Sequence, residues 1–299
     1  MTSIKKIGEF GLIDRVKKLI KTDASVIKGT GDDCAVIKFS KDKYMLLTCD
    51  MIVEGVDFTA KEKPYLIGRK AIAVSVSDIA ACGGLPRYCL VSLAMPVKSR
   101  LEFADKLIKG MLSVTKKYDI NLVGGDISRS RQLTIDVSMA GTVEKKNLLL
   151  RSGAKTGDVI FVTGKLGGSF FGKHLTFTPR LKEARFLAKD FKVNSMIDIS
   201  DGLTQDLGHI LKESGKGAII YEDLIPLSNK ARSLNDALYM GEDFELLFTM
   251  SGTEAKRLSG RRLKGFRAIG QIVLKECGLR LVDKKGKVNI IKPKGYRHF

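Results

Sequence analysis

Residues 64–84 read PYLIGRKAIAVSVSDIAACGG, and this stretch predicts a helix that is buried on most of its surface. Pro64 suits the first turn of a helix, and the glycine pair 83–84 ends it. Between these ends, residues 71–81 are almost all small or apolar, whereas a surface helix carries one polar face. We therefore expect this helix to lie in the core of the protein.

Strand-like segments lie on both sides of this helix. The apolar runs CAVIKF (34–39) and YMLLTC (44–49) are separated by a polar turn, and RYCLVSLAMP (87–96) follows the helix. Residues 101–118 have the spacing of an amphipathic helix, and LTIDVSMAGTV (133–143) alternates as a half-buried strand does. The first half of the chain therefore mixes strands and helices.

A polar segment divides the chain near its middle. The stretch EKKNLLLRSGAKTGD (144–158) is polar and contains glycine, and a fresh strand, VIFVTG (159–164), follows it. Strands and helices alternate again from there to the end of the sequence. We therefore predict two α/β domains of similar size, residues 1–148 and 149–299.

The chain is strongly basic, with 52 Lys and Arg against 33 Asp and Glu and a formal net charge of +19. Such a charge is compatible with nucleic acid, an anionic membrane or phosphorylated small molecules as partners. The basic residues are spread along the chain, mostly as pairs, so we interpret them mainly as a solvated surface. Nucleic acid is therefore not the expected partner.

Other bulk features favour a globular protein of the cytoplasm. Apolar residues make up 44% of the 299 residues, and no apolar run reaches the roughly 20 residues that span a bilayer. The N-terminus lacks a signal-peptide pattern, and residues 9–21 predict a helix. The five cysteines form no CxxC pair, which favours free thiols in a reducing compartment, and the three scattered histidines argue against a His-based metal site. We expect no membrane partner.

Two nucleotide-binding signatures match only in part. GGSFFGKH (167–174) has the spacing of a P-loop, but His174 replaces the Ser or Thr whose hydroxyl would bind the metal. GTGDDC (29–34) has two glycines of a dinucleotide fingerprint, with Cys34 where the third belongs. We expect neither motif to be functional.

The acidic residues lie in an unusual context. Many of them sit in short motifs that are flanked by glycine or border apolar runs, where solvated acids are uncommon. They are Asp32, Asp33, Asp50, Asp57, Asp78, Asp126, Asp198, Asp201, Asp206, Glu242, Asp243 and Glu245. In TGDDCA (30–35), two like charges stand before a buried strand, and burying them is costly unless a cation lies nearby.

Two of these motifs show why a ligand is expected. MIDISDGLTQDLGHIL (196–211) predicts a strand followed by a helix, so Asp198 and Asp201 lie where α/β proteins bind ligands. Helix capping alone would explain Asp201 but not Asp198. In LVGGDIS (122–128), the glycines allow the backbone to approach a ligand just before Asp126, and the alternative is a tight turn with an exposed carboxylate.

Carboxylates without histidine or thiolate partners suit a hard cation, Mg²⁺ above all, which usually keeps phosphate oxygens and water among its ligands. The motifs therefore predict an ATP·Mg site made by scattered aspartates, with no P-loop. Paired carboxylates could instead work as general acid and base, as in glycosidases, but that chemistry needs only two acids.

Taken together, the motifs resemble the thiamine-monophosphate kinase family, in the superfamily of aminoimidazole-ribonucleotide synthetase. They run in order from about Gly8 to Phe299: GDDCAVI, TCDMIVEGVDF, RKAIAVSVSDIAACGGLPRYCLVSLAMP, NLVGGDIS, RSGAKTGD, DISDGLTQDLGHI, GEDFELLF and the tail KGYRHF. GDDCA and VSVSDIAA are shared across the superfamily, whereas RSGAKTGD and the tail indicate this family in particular. The resemblance implies an α/β (α+β) fold of two domains, with mixed sheets and flanking helices, and a homodimer formed through the N-terminal domains.

The resemblance also implies the activity: direct in-line transfer of the γ-phosphoryl group of ATP to thiamine monophosphate, giving thiamine diphosphate. No general base is expected, because the acceptor phosphate has a second pKa of about 6 and is already largely deprotonated at neutral pH. Carried over by motif, the Mg²⁺ ligands are Asp33, Thr48, Cys49 (through its carbonyl), Asp50, Asp78, Asp126, Asp198 and Asp201. The implied ATP contacts are Gly125, Asp126, Arg151 and Ser200, and the implied acceptor contacts are Asp57, Glu242 and Tyr296.

Four positions depart from the family pattern. Asp57 stands where the family usually has His, and its carboxylate would favour the cationic thiazolium ring. Cys49 replaces a hydroxyl residue, and Tyr296 stands where many relatives have Trp, although a tyrosine can still stack on a pyrimidine. The segment HLTFTPR (174–180) lacks the first proline of the pattern.

Two alternative functions stay open at this point. The first is another enzyme of the superfamily, a ligase-like protein that activates a carbonyl oxygen with ATP, and the tail motif argues against it. The second is a basic RNA- or membrane-binding protein, which the net charge suggests. The acidic motifs argue against it, because they would repel a phosphate backbone.

Overall fold

The buried helix expected at residues 64–84 is present and lies between two β-sheets. It runs from Pro64 to Ala81, and most of its residues are buried. Its end is closed where the backbone N–H of Gly83 donates to the Ala80 carbonyl oxygen at 2.7 Å. The predicted position and burial of this helix are confirmed.

The computed structural model describes residues 4–261, 263 and 265–298, so that Phe299 of the tail motif lies outside the described part. The helices are α1 (Ile4–Leu19), α2 (Pro64–Ala81), α3 (Leu101–Tyr118), α4 (Leu181–Asp190), α5 (Leu203–Ser214), α6 (Leu234–Tyr239) and α7 (Gly252–Gly260). The strands are β1 (Val26–Lys28), β2 (Ala35–Lys38), β3 (Lys43–Val53), β4 (Leu85–Met95), β5 (Asn121–Arg129), β6 (Thr134–Glu144), β7 (Val159–Thr163), β8 (Val193–Asp198), β9 (Gly217–Tyr221), β10 (Leu246–Met250), β11 (Phe266–Val273), β12 (Leu279–Val282) and β13 (Val288–Ile291). In the described part of the chain, no helix is long and apolar enough to cross a bilayer.

The first sheet has six strands in the order β1-β2-β3-β6-β4-β5. Its pairs are antiparallel except β4 with β5, which are parallel. Helix α2 packs on the inner face of this sheet, and α3 packs on α2. The outer face carries exposed apolar side chains, including Tyr88 and Leu90 of β4.

The second sheet has seven strands in the order β13-β12-β9-β11-β7-β10-β8. One of its faces shares a continuous apolar core with α2 and the first sheet, and there Phe161 of β7 stacks on Phe248 of β10 at 5.3 Å. The opposite face packs against α5 through residues such as Val162 and Leu207. Helix α2 therefore contacts both sheets, and its polar side chains can interact with residues from either sheet.

Our proposed division into residues 1–148 and 149–299 falls in the segment that joins β6 to β7. The first sheet ends with Glu144 and the second begins with Val159. The division at this seam stays a proposal.

Two elements differ from the sequence-based expectation. Helix α1 begins at Ile4 instead of residue 9, with a break at Gly8, whose φ is +67°. The segment LVGGDIS, for which a tight turn was one interpretation, is part of the edge strand β5. A Cβ on Gly125 would lie 1.8 Å from the Val91 carbonyl oxygen, so this glycine lets β5 pack close to β4.

Helices α2 and α3 touch at two glycines. A Cβ on Gly68 of α2 would lie 1.9 Å from the Leu107 carbonyl oxygen, and a Cβ on Gly110 of α3 would lie 1.9 Å from that of Tyr65. Since both neighbours are backbone atoms, the helices can relieve such an overlap only by moving apart.

We predict that Gly68→Ala lowers the free energy of unfolding by about 1–3 kcal/mol, because it overpacks the contact between α2 and α3. The control is Gly252→Ala at the start of α7, where an added Cβ meets nothing within 4 Å. Urea unfolding of the two variants measures the difference. Equal stability of both variants would contradict the close contact.

Candidate active site

Three aspartates from distant parts of the chain meet beside α2. Asp33 precedes β2, Asp78 lies on the last turn of α2, and Asp198 ends β8. One carboxylate oxygen from each lies within 4.8 Å of the others. Asp33 and Asp198 are buried, with 8% and 2% of their surfaces exposed. We call these three residues the carboxylate cluster.

Burial raises the pKa of every member of the carboxylate cluster. The pKa of Asp198 rises to about 8, first because it is buried and then because Asp33 repels its charge. The pKa of Asp78 lies well above its ordinary range, through burial and then through Asp50 and Asp198. Burial also raises the pKa of Asp33, although Arg151 opposes this. Ionising all three carboxyl groups together is therefore unfavourable unless a cation is present.

The adjacent aspartates of TGDDCA have different partners. Asp32 accepts hydrogen bonds from the backbone N–H of Arg151 at 3.2 and 3.3 Å and of Asp33 at 3.2 Å, so it ties the turn to the start of the second half of the chain. Asp33 Oδ1 accepts from Arg151 Nη2 at 2.7 Å and from Nε at 3.1 Å. Asp33 Oδ2 is buried without a hydrogen-bond partner among the described residues. The structure therefore separates a turn-forming aspartate, Asp32, from a cluster aspartate, Asp33.

Hydroxyl groups orient the carboxylates from within the core. Thr48 Oγ1 of β3 donates to Asp78 Oδ2 at 2.5 Å. On α2, Ser75 Oγ donates to Asp50 Oδ2 at 2.7 Å, and Ser77 Oγ donates to Asp198 Oδ2 at 2.5 Å. Sequence reasoning missed both serines, although two hydroxyls in an otherwise apolar helix were a usable signal.

The carboxylate cluster fits a hard divalent cation. Its donors are all carboxylate oxygens, and one of them, Asp33 Oδ2, lacks a hydrogen-bond partner in the part of the chain that the structure describes. Asp50 and Thr48 lie beside them. Such a donor set is typical of Mg²⁺ sites. A cation there would favour the ionised forms that burial now disfavours.

A cavity of about 190 Å³ adjoins this site. Its walls include Asp50 and Asp201 from the predicted metal ligands, and Asp57, Glu242 and Tyr296 from the predicted acceptor contacts. The two sets of residues come from different motifs, and the fold brings them to the same opening. We call this space the acceptor cavity.

Lys70 joins the two acidic walls of the acceptor cavity. Its Nζ donates to the Asp57 carbonyl oxygen at 2.7 Å and forms an ion pair with Glu242 Oε1. The Asp57 carboxylate accepts from the Val53 backbone N–H at 2.7 Å, and the Glu242 N–H donates to the Ser200 carbonyl oxygen at 2.7 Å. Sequence reasoning missed Lys70, although Lys70 and its neighbour Arg69 are basic residues inside a helix expected to be buried.

A second cleft, of about 530 Å³, lies between α1 and α5. Arg151 and Ser200, two of the predicted ATP contacts, line it together with Asp201. Asp206 Oδ2 accepts from the backbone N–H groups of Asp201 and Gly202 at 3.1 and 3.0 Å, so it holds the loop that carries Asp201. Burial raises the pKa of Asp201 to about 6.

The remaining predicted residues lie on the outer face of the first sheet. Asp126 and Gly125 are exposed on β5, outside the carboxylate cluster. Asp126 and Asp136 flank Ser92 in register and so project from the same face. The Cys49 thiol also lies there, 3.2 Å from Asp136 Oδ2.

The raised pKa values predict how pH and metal affect stability. A carboxyl whose pKa is higher in the folded protein than the unfolded value of 3.8 holds its proton more tightly when folded, so stability falls as pH rises toward the folded pKa of about 8 for Asp198. We expect the melting temperature without metal to fall between about pH 5 and pH 8 through this term. Added Mg²⁺ should raise it by several degrees at about pH 8 and by less at about pH 5.

Scanning fluorimetry with Mg²⁺ or EDTA measures both effects. Asp198→Asn should reduce the Mg²⁺-dependent shift, whereas Asp105→Asn, at an exposed position of α3, should leave it unchanged. A Mg²⁺ shift that is equal at both pH values, or equal in the two variants, would contradict a metal site at the carboxylate cluster.

Comparisons with known proteins agree with this geometry. Residues 31–143 match the family described as AIR synthase related protein, N-terminal domain, and residues 137–276 match its C-terminal domain. The chain is 38% identical to the thiamine-monophosphate kinase of Buchnera aphidicola subsp. Schizaphis graminum, over 98% of this chain and 99% of that protein. It is 33% identical to the thiamine-monophosphate kinase of Aquifex aeolicus, over 99% of both chains.

A solved structure gives the same result. The complex described as AaThiL with AMPPCP and TMP superposes with a TM-score of 0.88 at 32% identity, and the match covers 100% of this chain and 99% of that one. The likeness therefore includes both sheets and the segment between them, and the predicted two-domain α/β fold is confirmed. The chain belongs to the thiamine-monophosphate kinase family, among the AIR synthase related proteins.

Proposed function

We propose that this protein transfers the γ-phosphoryl group of ATP to thiamine monophosphate, giving thiamine diphosphate and ADP. The observation that carries this proposal is the position of the acceptor cavity, whose lining includes Asp50 and Asp201, two of the predicted metal ligands. A phosphate acceptor in this cavity would lie beside carboxylates that need a cation. Relatives over the full length of the chain carry this activity in their names, which supports the same proposal.

The acceptor cavity suits a ligand that is cationic and aromatic at one end. Asp50, Asp57, Asp201 and Glu242 line it, and Lys70 balances only the charge of Glu242, so the walls keep net negative charge when the other carboxyl groups are ionised. Such walls favour the positively charged thiazolium ring. Tyr296 lies at the opening with 43% of its surface exposed, and its ring can stack on the pyrimidine.

The protein contributes mainly position and charge to the reaction. Mg²⁺ bound by the carboxylates of Asp33, Asp78 and Asp198 would supply the positive charge that neutralises the two phosphate groups as they approach each other. Arg151 is fixed by Asp33 and presents a rigid guanidinium at the second cleft, where it can hold phosphate oxygens of ATP.

No protein group has to remove a proton from the acceptor. The attacking phosphate oxygen is largely ionised at neutral pH, because its second pKa is about 6. The His174 ring is held by the Ser169 carbonyl oxygen, and burial lowers its pKa, so it stays neutral. Two other histidines line the clefts, His209 the second cleft and His298 the acceptor cavity.

We also propose that the protein is a homodimer that pairs through the outer face of the first sheet. This face carries a shallow apolar depression of about 440 Å³ over β3, β6, β4 and β5, with Leu47, Tyr88, Leu90 and Val123 in its lining. Burying apolar surface of this kind against a second copy stabilises association. The five cysteines lie unpaired, which is typical of proteins in the reducing cytoplasm, where we propose that this enzyme works.

The kinase proposal predicts ADP release that depends on thiamine monophosphate. Purified protein with ATP and Mg²⁺ should form ADP and thiamine diphosphate in equal amounts, measured by coupled assay and chromatography. Unphosphorylated thiamine should give little product, since it lacks the ionised phosphate oxygen. No product at saturating thiamine monophosphate, or equal rates with thiamine, would overturn the proposal.

Asp198→Asn should lower the rate of this reaction by about 100-fold or more, as loss of a preorganised charge at a transition state does. Because the asparagine keeps the size and the hydrogen-bond acceptor for Ser77, the fold should survive, and circular dichroism checks this. Asp105→Asn is again the matched control. A near wild-type rate for Asp198→Asn would contradict its role.

The dimer proposal predicts that Leu90→Asp converts the protein to a monomer, because a carboxylate would be buried in the apolar face. Light scattering after size exclusion measures the mass. Leu274→Asp, at an exposed apolar position of the second half of the chain, should leave the dimer intact. A wild-type monomer, or dimers of both variants, would contradict the assigned face.

A further inference from the structure

Lys70 is a cation in the interior of the protein. It lies on α2, none of its surface is exposed, and it is among the largest fully buried side chains. A buried ammonium group is costly unless charged and polar groups surround it. Its Nζ has two such partners among the described residues, the Glu242 carboxylate and the Asp57 carbonyl oxygen.

Both partners of Lys70 belong to the acceptor cavity but come from different halves of the chain. Asp57 lies in the turn after β3, and Glu242 lies in the loop before β10. Lys70 on the rigid helix α2 therefore sets the distance between these two walls. The second oxygen of Glu242, Oε2, is buried and has no hydrogen-bond partner among the described residues.

The Glu242 loop has a backbone that needs such an anchor. Glu242 and Phe244 have φ values of +65° and +48°, which are uncommon for residues with a side chain. The Glu242 N–H donates to the Ser200 carbonyl oxygen at 2.7 Å, and the Phe244 N–H to that of Ile199 at 2.8 Å. These bonds fix the main chain of the loop, and Lys70 fixes the direction of the Glu242 side chain.

We propose that Lys70 is a positioning residue for the acceptor: it orients Glu242 and the Asp57 turn so that the cavity binds the cationic part of thiamine monophosphate. This inference rests on the proposed kinase function. Lys70 itself would touch no substrate, because none of its surface is exposed and its side chain does not line the acceptor cavity. It would therefore affect binding of the acceptor much more than binding of ATP.

The test compares Lys70→Met, Glu242→Gln and the double variant. Methionine keeps the length of the side chain and removes the charge. We expect Lys70→Met to raise the KM for thiamine monophosphate at least tenfold, with the KM for ATP changed less than threefold. Because Lys70 acts through Glu242, the KM for thiamine monophosphate of the double variant should be no higher than that of the poorer single variant. The two effects would then be far from additive.

The double variant also keeps the proposal testable if Lys70→Met alone does not fold. Lys70→Met alone leaves the Glu242 carboxylate buried without its cation, whereas the double variant removes both charges, which proteins tolerate better. If the single variant does not fold, the double variant should fold and still bind the acceptor as weakly as Glu242→Gln does. Lys173→Met is the matched control, since Lys173 pairs with the buried Glu245 at 2.6 Å and lies outside the cavity lining.

Three results would overturn the positioning role. The first is an unchanged KM for thiamine monophosphate in a folded Lys70→Met variant. The second is an equal increase of the KM for thiamine monophosphate and for ATP. The third is that the effects of the two single substitutions on the KM for thiamine monophosphate add fully in the double variant. Calorimetric titration with thiamine monophosphate reports the same comparison without turnover. A wild-type protein that neither binds nor phosphorylates thiamine monophosphate would instead overturn the kinase proposal itself, so the two failures are distinguishable.

Discussion

Electrostatic repulsion among buried carboxylates is the constraint on which this site depends. Asp33, Asp78 and Asp198 have oxygens within 4.8 Å of one another, and burial raises the pKa of each. Arg151 compensates only part of this charge, through Asp33. A protein that keeps such a cluster gives up stability at neutral pH for the ability to bind a cation. The excess of basic residues over the whole chain does not relieve the cluster, since only one arginine among the described residues bonds to it.

Helix α2 carries the side chains that orient these acidic residues. It is buried between the two sheets, and it carries Lys70, Ser75, Ser77 and Asp78 within two and a half turns. Ser77 donates to Asp198 from the second sheet, and Lys70 pairs with Glu242 from the loop before β10. One rigid element therefore orients the proposed metal site and the proposed acceptor cavity together, and the glycine contact with α3 holds that element in place.

Much of this arrangement could be predicted from the sequence. The residues that could not be predicted are those whose environment depends on contacts with distant parts of the chain. The burial of α2 and the position of Asp198 at a strand end follow from local pattern, because helix period and strand ends are local properties. The difference between Asp32 and Asp33 does not follow, since it depends on Arg151, more than a hundred positions away. From the sequence, a tight turn was one interpretation of the segment that contains Asp126. This segment is instead the edge strand β5, because it pairs with β4. Lys70 was overlooked for a similar reason, because its partners come from two distant loops.

A crystal grown with Mn²⁺ and a non-hydrolysable ATP analogue tests the central claim most directly. Mn²⁺ accepts the same oxygen ligands as Mg²⁺ and gives an anomalous signal. The account predicts an anomalous peak in contact with the carboxylates of Asp33, Asp78 and Asp198, next to Oδ2 of Asp33, which has no hydrogen-bond partner among the described residues. Nucleotide bound with metal elsewhere and no peak at these three aspartates would contradict it.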